Sequence, residues 1–291
     1  MKTSLGSKIF DVSNYIFLGL YGLITLLPFI YVVAGSFTSP QEYISKKIVL
    51  FPSQFSLEGY KYIFSTEVLL TSLGVTIFIT LAGTAINLIF TCLMAYPLAR
   101  RDLDGRKWIL LGVVFSMLFS GGMIPTFLVV KSLGLINSYW SLLLPGAISA
   151  FNLIVLKNFF QQLPEGLEEA AKIDGCNDLR ILWQIVLPLS LPAIATFSLF
   201  YAVNHWNSFF QAILYINDNF KWPIQVWLRQ IVILSSGGLG DSAVFDSNYI
   251  VPPGQIIKMS VIVISTLPIL IVYPFLQKHF AKGALIGSVK G

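Results

Sequence analysis

KNFFQQLPEGLEEAAKIDGCNDLRILWQIVLPLSLP, from Lys157 to Pro192, is the only long, charged segment between two apolar spans that also carries helix signals of its own. Pro164 stands where the first position of a helix would be. Glu165, Glu168 and Glu169 fill the first turns, where carboxylates suit the positive end of the helix dipole. A short helix is therefore predicted to start near Pro164. Leu167, Ala170, Ala171 and Asp174 fall at i, i+3, i+4 and i+7, which makes one face of small or apolar side chains with an acid at its end. Gly175 stops that helix, as glycine does just past a helix end. Asn177 is an N-cap for a second helix, Asp178 follows it, and Ile181, Leu182, Ile185 and Val186 give an apolar face that runs to Pro188. The product is helix, glycine elbow, helix, lying outside the membrane.

The rest of the chain is apolar. Of its 291 residues 55% are hydrophobic and 11% charged, with a mean hydropathy of +0.76, whereas a soluble domain carries about a quarter charged residues. Runs of about 20 apolar residues, enough for about 30 Å of hydrocarbon, lie at Tyr15–Gly35, Leu69–Leu98, Trp108–Val130, Tyr139–Leu156, Leu191–Ile216 and Ile257–Phe275. These predict an all-α integral membrane protein of six transmembrane helices in one domain over 1–291. A transmembrane barrel would instead show short alternating strands. Lys2 and Lys8 precede the first run in the manner of a signal peptide, but the run is too long and no small-residue cleavage site follows. Cys92 sits inside a span and Cys176 in the elbow, so no disulfide is expected.

Orientation follows the basic residues. With the N-terminus inside, twelve of the 19 lysines and arginines fall inside, among them the cluster Arg100, Arg101, Arg106 and Lys107 after the second span. That cluster reads as a topology anchor. Both termini and the elbow are then cytoplasmic. The net charge of +5 is a topology signal and implies no nucleic-acid partner.

Several spans carry polar or helix-breaking residues. The second has Thr76, Thr80, Gly83, Thr84, Asn87 and Thr91 at helical spacing, which reads as close helix packing. SGGMIP, Ser120–Pro125, breaks the third span, and its freed backbone groups must face protein, a neighbouring subunit or a water-lined path. The fifth has the most polar interior: Tyr201, Asn204, Ser208 and Gln211 recur on one side of a helix, with His205 and Asn207 flanking. Lipid cannot be what that side sees. It is either polar glue to a partner helix or a hydrated lining for a polar solute, with Tyr201 and Trp206 as stacking surfaces. The lining is the reading taken, since amides, a hydroxyl and aromatics suit an uncharged polyol better than an ion. Between the first two spans a loop of about thirty residues is too short for a domain. Asn217 to Gln255 is the longest outside loop and contains WPIQVWLRQIVIL and the glycine-rich SSGGLGDS; it lies on the membrane surface or meets an extracellular partner.

No Walker A sequence occurs, nor HExxH, CxxC or GxSxG, so no nucleotide, metal or catalytic site is assigned. Apart from tyrosine, cysteine and Lys258 at the outer edge of the last span, His205 is the sole ionisable side chain expected within the spans, which argues against a proton- or sodium-driven transporter.

Glu169, Ala170, Ala171, Gly175, Ile185, Leu187 and Pro188 match, gap for gap, the EAA loop of ABC importer membrane subunits. AYPLARRDLDGR, LGLINSYWSLLLP, HWNSFF and KGALIGSVKG further resemble the carbohydrate branch, of the MalG and LplC polysaccharide permease type. The likeness covers nearly the whole chain; the glycine-rich stretch near Ser235–Pro253 departs from it. This resemblance implies a multi-pass permease subunit of the bacterial cell membrane, importing an oligosaccharide or polysaccharide fragment with a second homologous permease, two ATPase subunits and an extracellular solute-binding protein. ATP and Mg would be used by the ATPases and no cofactor bound by this chain, which would not be an enzyme. Glu165, Glu168, Glu169, Ala170, Ala171, Asp174 and Gly175 would form the ATPase-coupling surface, and Tyr201, Asn204, His205, Trp206, Asn207, Ser208 and Gln211 the substrate path. An ABC permease for a non-sugar solute, or a secondary transporter or channel working without an ATPase, is the alternative.

Overall fold

The computed structural model describes residues 5–46, 49–236 and 254–288, together with the backbone but not every side chain near the C-terminus. Most of the glycine-rich outside stretch lies beyond those residues. In chain order the helices are α1 (Leu5–Ser36), α2 (Pro40–Ser45), α3 (Glu58–Ser65), α4 (Glu67–Ala99), α5 (Arg106–Leu118), α6 (Met123–Ser132), α7 (Trp140–Leu143) and α8 (Ala150–Phe160). They continue with α9 (Glu165–Ile173), α10 (Asp178–Ile181), α11 (Leu187–Leu189), α12 (Leu191–Trp206), α13 (Phe210–Tyr215), α14 (Ile224–Ser236) and α15 (Gly254–Ser288). Among the described residues no strand forms beyond the isolated bridge between Thr38 and Phe55.

Three segments are long and apolar enough to cross a membrane unaided: Lys8–Ser36, Glu67–Ala99 and Gly254–Val272. The third and fifth expected spans are not straight. α5 and α6 meet at 116°, and the run Asp178–Leu189 meets α12 at 86°. Counting each bent pair as one crossing gives up to five among the described residues. The break at Phe119–Gly122 coincides with SGGMIP: Gly122 has φ +87, and Pro125 has no N–H with which to bond back across the gap. The fourth expected span departs furthest from a single helix. Pro145 and Gly146 interrupt it, leaving four-residue α7 and 11-residue α8. Eleven residues reach about 16 Å, roughly half of a hydrocarbon core.

By their contacts the described residues form two compact units. One takes its residues from Met1–Leu70 and Leu228–Leu267. Here side chains on either side of α2 come together across the segment after α1: Phe37 stacks on Phe55 with centroids 5.1 Å apart, and Ser36 Oγ and Tyr60 OH share a 2.7 Å hydrogen bond. Glu42 closes this segment. Its buried carboxylate accepts the backbone N–H of Ser53 and of Gln54, at 3.0 and 2.9 Å, and the Lys46 ammonium at 3.0 Å.

The other unit takes its residues from Thr71–Trp227 and Pro268–Gly291. Its core gathers Ala95 and Leu98 of α4, Leu153 and Leu156 of α8, Ile181 and Leu182 beyond the elbow, and Phe197 and Tyr201 of α12. Lipid tails are as apolar as leucine, so such helices hold together by close packing and hydrogen bonds. The polar contacts described next therefore decide how they meet.

Candidate functional site

The elbow forms where its residues predicted, one position later at its start. Pro164 is the N-cap of α9, with φ −60 and ψ 124, and the helix runs from Glu165 to Ile173. Its end is a Schellman turn: Cys176 N–H donates to Ala171 O at 2.9 Å and Gly175 N–H to Lys172 O at 3.0 Å. Gly175 makes the turn at φ +79, which a side-chained residue adopts only under strain. Asn177 Oδ1 then accepts the Arg180 N–H at 2.8 Å and caps α10. One turn on, Leu182–Val186 widens into a π-helix just before Pro188, whose missing N–H leaves the i−4 carbonyl without a donor.

The faces of α9 are divided differently from the expected stripe. Ala171 is buried against the chain's own core, while Leu167, Glu169, Ala170 and Asp174 are exposed. Ile173 is 87% exposed, an apolar side chain that the sequence pattern did not single out. Glu168 is half-buried and accepts the Tyr96 hydroxyl at 3.4 Å. Of Glu165 only the backbone is described. Of the two alanines, Ala170 is open at the surface and Ala171 is not.

At the exit of α4 stands Arg100, which the charge bias alone marks as a topology anchor. Its Nε donates to Asp102 Oδ1 at 3.0 Å, and its Nη1 to Asp178, the first residue of α10. The Arg100 bond holds the Asp102 carboxyl down at about 2, and the two carboxylates push the guanidinium pKa up. Carbonyls left free at the end of α4 find side chains too: Arg106 Nε donates to Leu98 O at 2.8 Å and Gln161 Nε2 to Ala99 O at 3.0 Å.

The polar stripe of the fifth span does not lie along one helix. α12 stops at Trp206 and α13 starts at Phe210, so Ser208 and Gln211 are out of register with Tyr201 and Asn204. Tyr201 and Trp206 are buried and His205 half-buried. Tyr201 OH shares a 2.8 Å hydrogen bond with Thr91 Oγ1 and accepts Ser149 N–H at 3.4 Å. His205 Nε2 meets Asn87 Oδ1 at 2.6 Å. The Asn87 amide nitrogen donates to Gly146 O at 2.6 Å and Ala147 O at 3.0 Å. Carbonyls can only accept, so Asn87 Oδ1 is left as acceptor and Nε2 of His205 carries the hydrogen. Thus Asn87 and Tyr201 pair backbone groups set free where Pro145 and Gly146 break the fourth span, and His205 and Thr91 hold those two side chains in turn. Gly83 makes room for this: a Cβ there would lie 2.5 Å from His205 Nε2. Asn204, Asn207 and Gln211 remain exposed and Ser208 half-buried. Asn207 donates to Val203 O at 2.9 Å, and Ser208 Oγ to Gln211 Oε1 at 3.2 Å.

Residues 105–286 match the family described as "Binding-protein-dependent transport system inner membrane component". The chain is 62% identical over 285 residues to the polygalacturonan/rhamnogalacturonan transport system permease protein YtcP of Bacillus subtilis strain 168, covering 98% of this chain and 99% of that one. It is 60% identical over 293 residues to protein LplC of the same organism, covering 100% and 98%. Among solved structures it resembles a chain of a bacterial ABC transporter that imports the acidic polysaccharide alginate, with a TM-score of 0.89 at 33% identity over 96% of this chain and 99% of that one.

Proposed function

The chain belongs to the family of binding-protein-dependent transport system inner membrane components, and from that premise we propose that it forms half of an importer's pathway for an oligosaccharide or polysaccharide fragment. A second permease completes the pathway, two ATPase subunits drive it, and a solute-binding protein delivers the saccharide. The observation that carries this reading is the elbow. It is a glycine-ended helix outside the apolar segments, whose outer face shows Leu167, Ala170 and Ile173 beside Glu169 and Asp174. An apolar patch rimmed by carboxylates suits a partner that offers a pocket with a basic edge. We assign it to the ATPase, which supplies the hydrolysis this chain does not carry out. Counting Trp140–Phe160 as a sixth, broken crossing puts both termini and the elbow on one side, which the lysine and arginine bias makes the cytoplasm.

For the saccharide, Asn204, Asn207, Ser208 and Gln211 around the α12–α13 break are the groups able to reach a solute. Tyr201, His205 and Trp206 stand behind them. The saccharide names of YtcP and of the alginate importer support a sugar substrate. Alginate is acidic, so the lack of a cation in the stripe does not restrict the substrate to neutral sugars: amide and hydroxyl donors serve carboxylates as well.

The test is reconstitution with the partner subunits. Gly175→Val should insert and assemble but lose saccharide-stimulated ATP hydrolysis, because a β-branched residue cannot hold φ +79. Unchanged stimulation would refute the elbow's role. Saccharide movement in liposomes by this chain alone would refute the importer reading.

A further inference from the structure

The turn at Gly175 is open on its outer side: nothing lies within 4 Å of where its Cβ would be. Two side chains at the end of α4 tie the elbow to it. Tyr96 lies in the last turn of α4, and Arg100 directly follows its last residue, Ala99. Tyr96 reaches Glu168 on the near side of the elbow, and Arg100 reaches Asp178 on the far side. Neither partner is close in sequence, at 72 and 78 residues away. Beside the Arg100–Asp178 bond is an open groove of about 470 Å³ lined by Tyr96, Pro97, Arg100, Asp102, Asp178 and Leu182. The elbow is therefore tied to the end of α4 at two polar points, while Ala171, Ile181 and Leu182 pack with Ala95 and Leu98 in the same core.

We propose that Arg100 is a positioning residue for coupling, holding the elbow at a set angle to α4 so that movement of α9 is passed into that helix. The proposal rests on the reading of the elbow as the ATPase contact. The guanidinium suits the task because its fork serves Asp102 through Nε and Asp178 through Nη1 at once; a lysine ammonium on its flexible stem cannot span both in fixed geometry. Arg100 is 18% exposed, but Asp178 is 61% exposed. The bond thus stands at the water's edge, where it can open and close during a cycle and where salt weakens it.

The experiment uses the whole importer in proteoliposomes and reads saccharide transported per ATP hydrolysed, with copurification of the ATPase subunits as a control. Asp178→Asn and Arg100→Lys should retain the ATPase subunits but lower transport per ATP by roughly two- to fivefold, the equilibrium worth of an exposed ion pair. Asp178→Glu should restore most of the loss. Raising salt from about 0.05 M to about 0.5 M should lower the wild-type ratio toward that of Asp178→Asn, which should itself respond little. Wild-type ratios in both variants would overturn the proposal. So would loss of the ATPase subunits in all three, which would make the residues merely structural. Failure of the wild-type chain to retain an ATPase would instead refute the underlying reading.

Discussion

Asn87 uses one amide group on three partners, and its neighbours follow from that choice. Its nitrogen satisfies Gly146 O and Ala147 O, and its oxygen fixes the tautomer of His205. An average interhelical hydrogen bond in a membrane is worth about 0.6 kcal/mol. A polar group left without its partner costs about 1–3 kcal/mol, and the second figure governs here because the buried Asn87 amide serves three part-buried groups at once. Asn87→Leu should therefore lower the melting temperature of the detergent-solubilised protein clearly, whereas Asn204→Leu, at an exposed position, should stay within about 0.5 kcal/mol of wild type. Equal melting of the two variants would remove Asn87 from this role. The polarity of Asn87, Tyr201 and His205 was legible in the sequence. Their pairing was not, because Asn87 and His205 are 118 residues apart and any polar residue on a facing helix could have taken the place.

Among elements, local chemistry was most readable where a breaker residue stands in polar surroundings. Gly175 and Asn177 marked the elbow, and each does what its residue type is suited to do. In apolar surroundings the same signal is weaker: the break at SGGMIP was visible, yet Pro145–Gly146 read as part of a continuous span because hydropathy does not change across it. The outer segment from Ser36 to Ser65 was read as a plain loop. It is ordered by Glu42, whose carboxyl pKa is lowered to about 2 by the Ser53 and Gln54 amides and then by Lys46. The stabilisation is complete above the ordinary glutamate pKa of about 4.5 and is lost as pH falls through about 2. Protection of the Ser53 and Gln54 amides, taken relative to the intrinsic exchange rate at each pH, should consequently fall between those pH values, and Glu42→Gln should show the lower protection already at neutral pH. A flat profile that Glu42→Gln does not change would leave the carboxylate without this function.

For the whole molecule, the proposed orientation places Ala170 of the elbow and Ser53 of the outer segment on opposite sides of the bilayer; both are exposed. With Cys92 and Cys176 replaced by alanine, a membrane-impermeant maleimide should label Ala170→Cys in inside-out vesicles only and Ser53→Cys in intact cells only. Labelling of both from one side would refute the topology. Read as a string of residues, the chain already announced an all-helical membrane protein with a polar, glycine-jointed elbow, because hydropathy, helix caps and the backbone freedom of glycine act within a few neighbouring positions. Folding settled which polar groups are consumed inside and which stay free. Tyr201 and His205 turn inward to serve a broken helix, Asn204 and Asn207 stay outside, and Arg100 finds Asp178. Those outcomes depend on which helices meet and at what depth, and that is set by packing across the whole chain rather than by the chemistry of any one stretch.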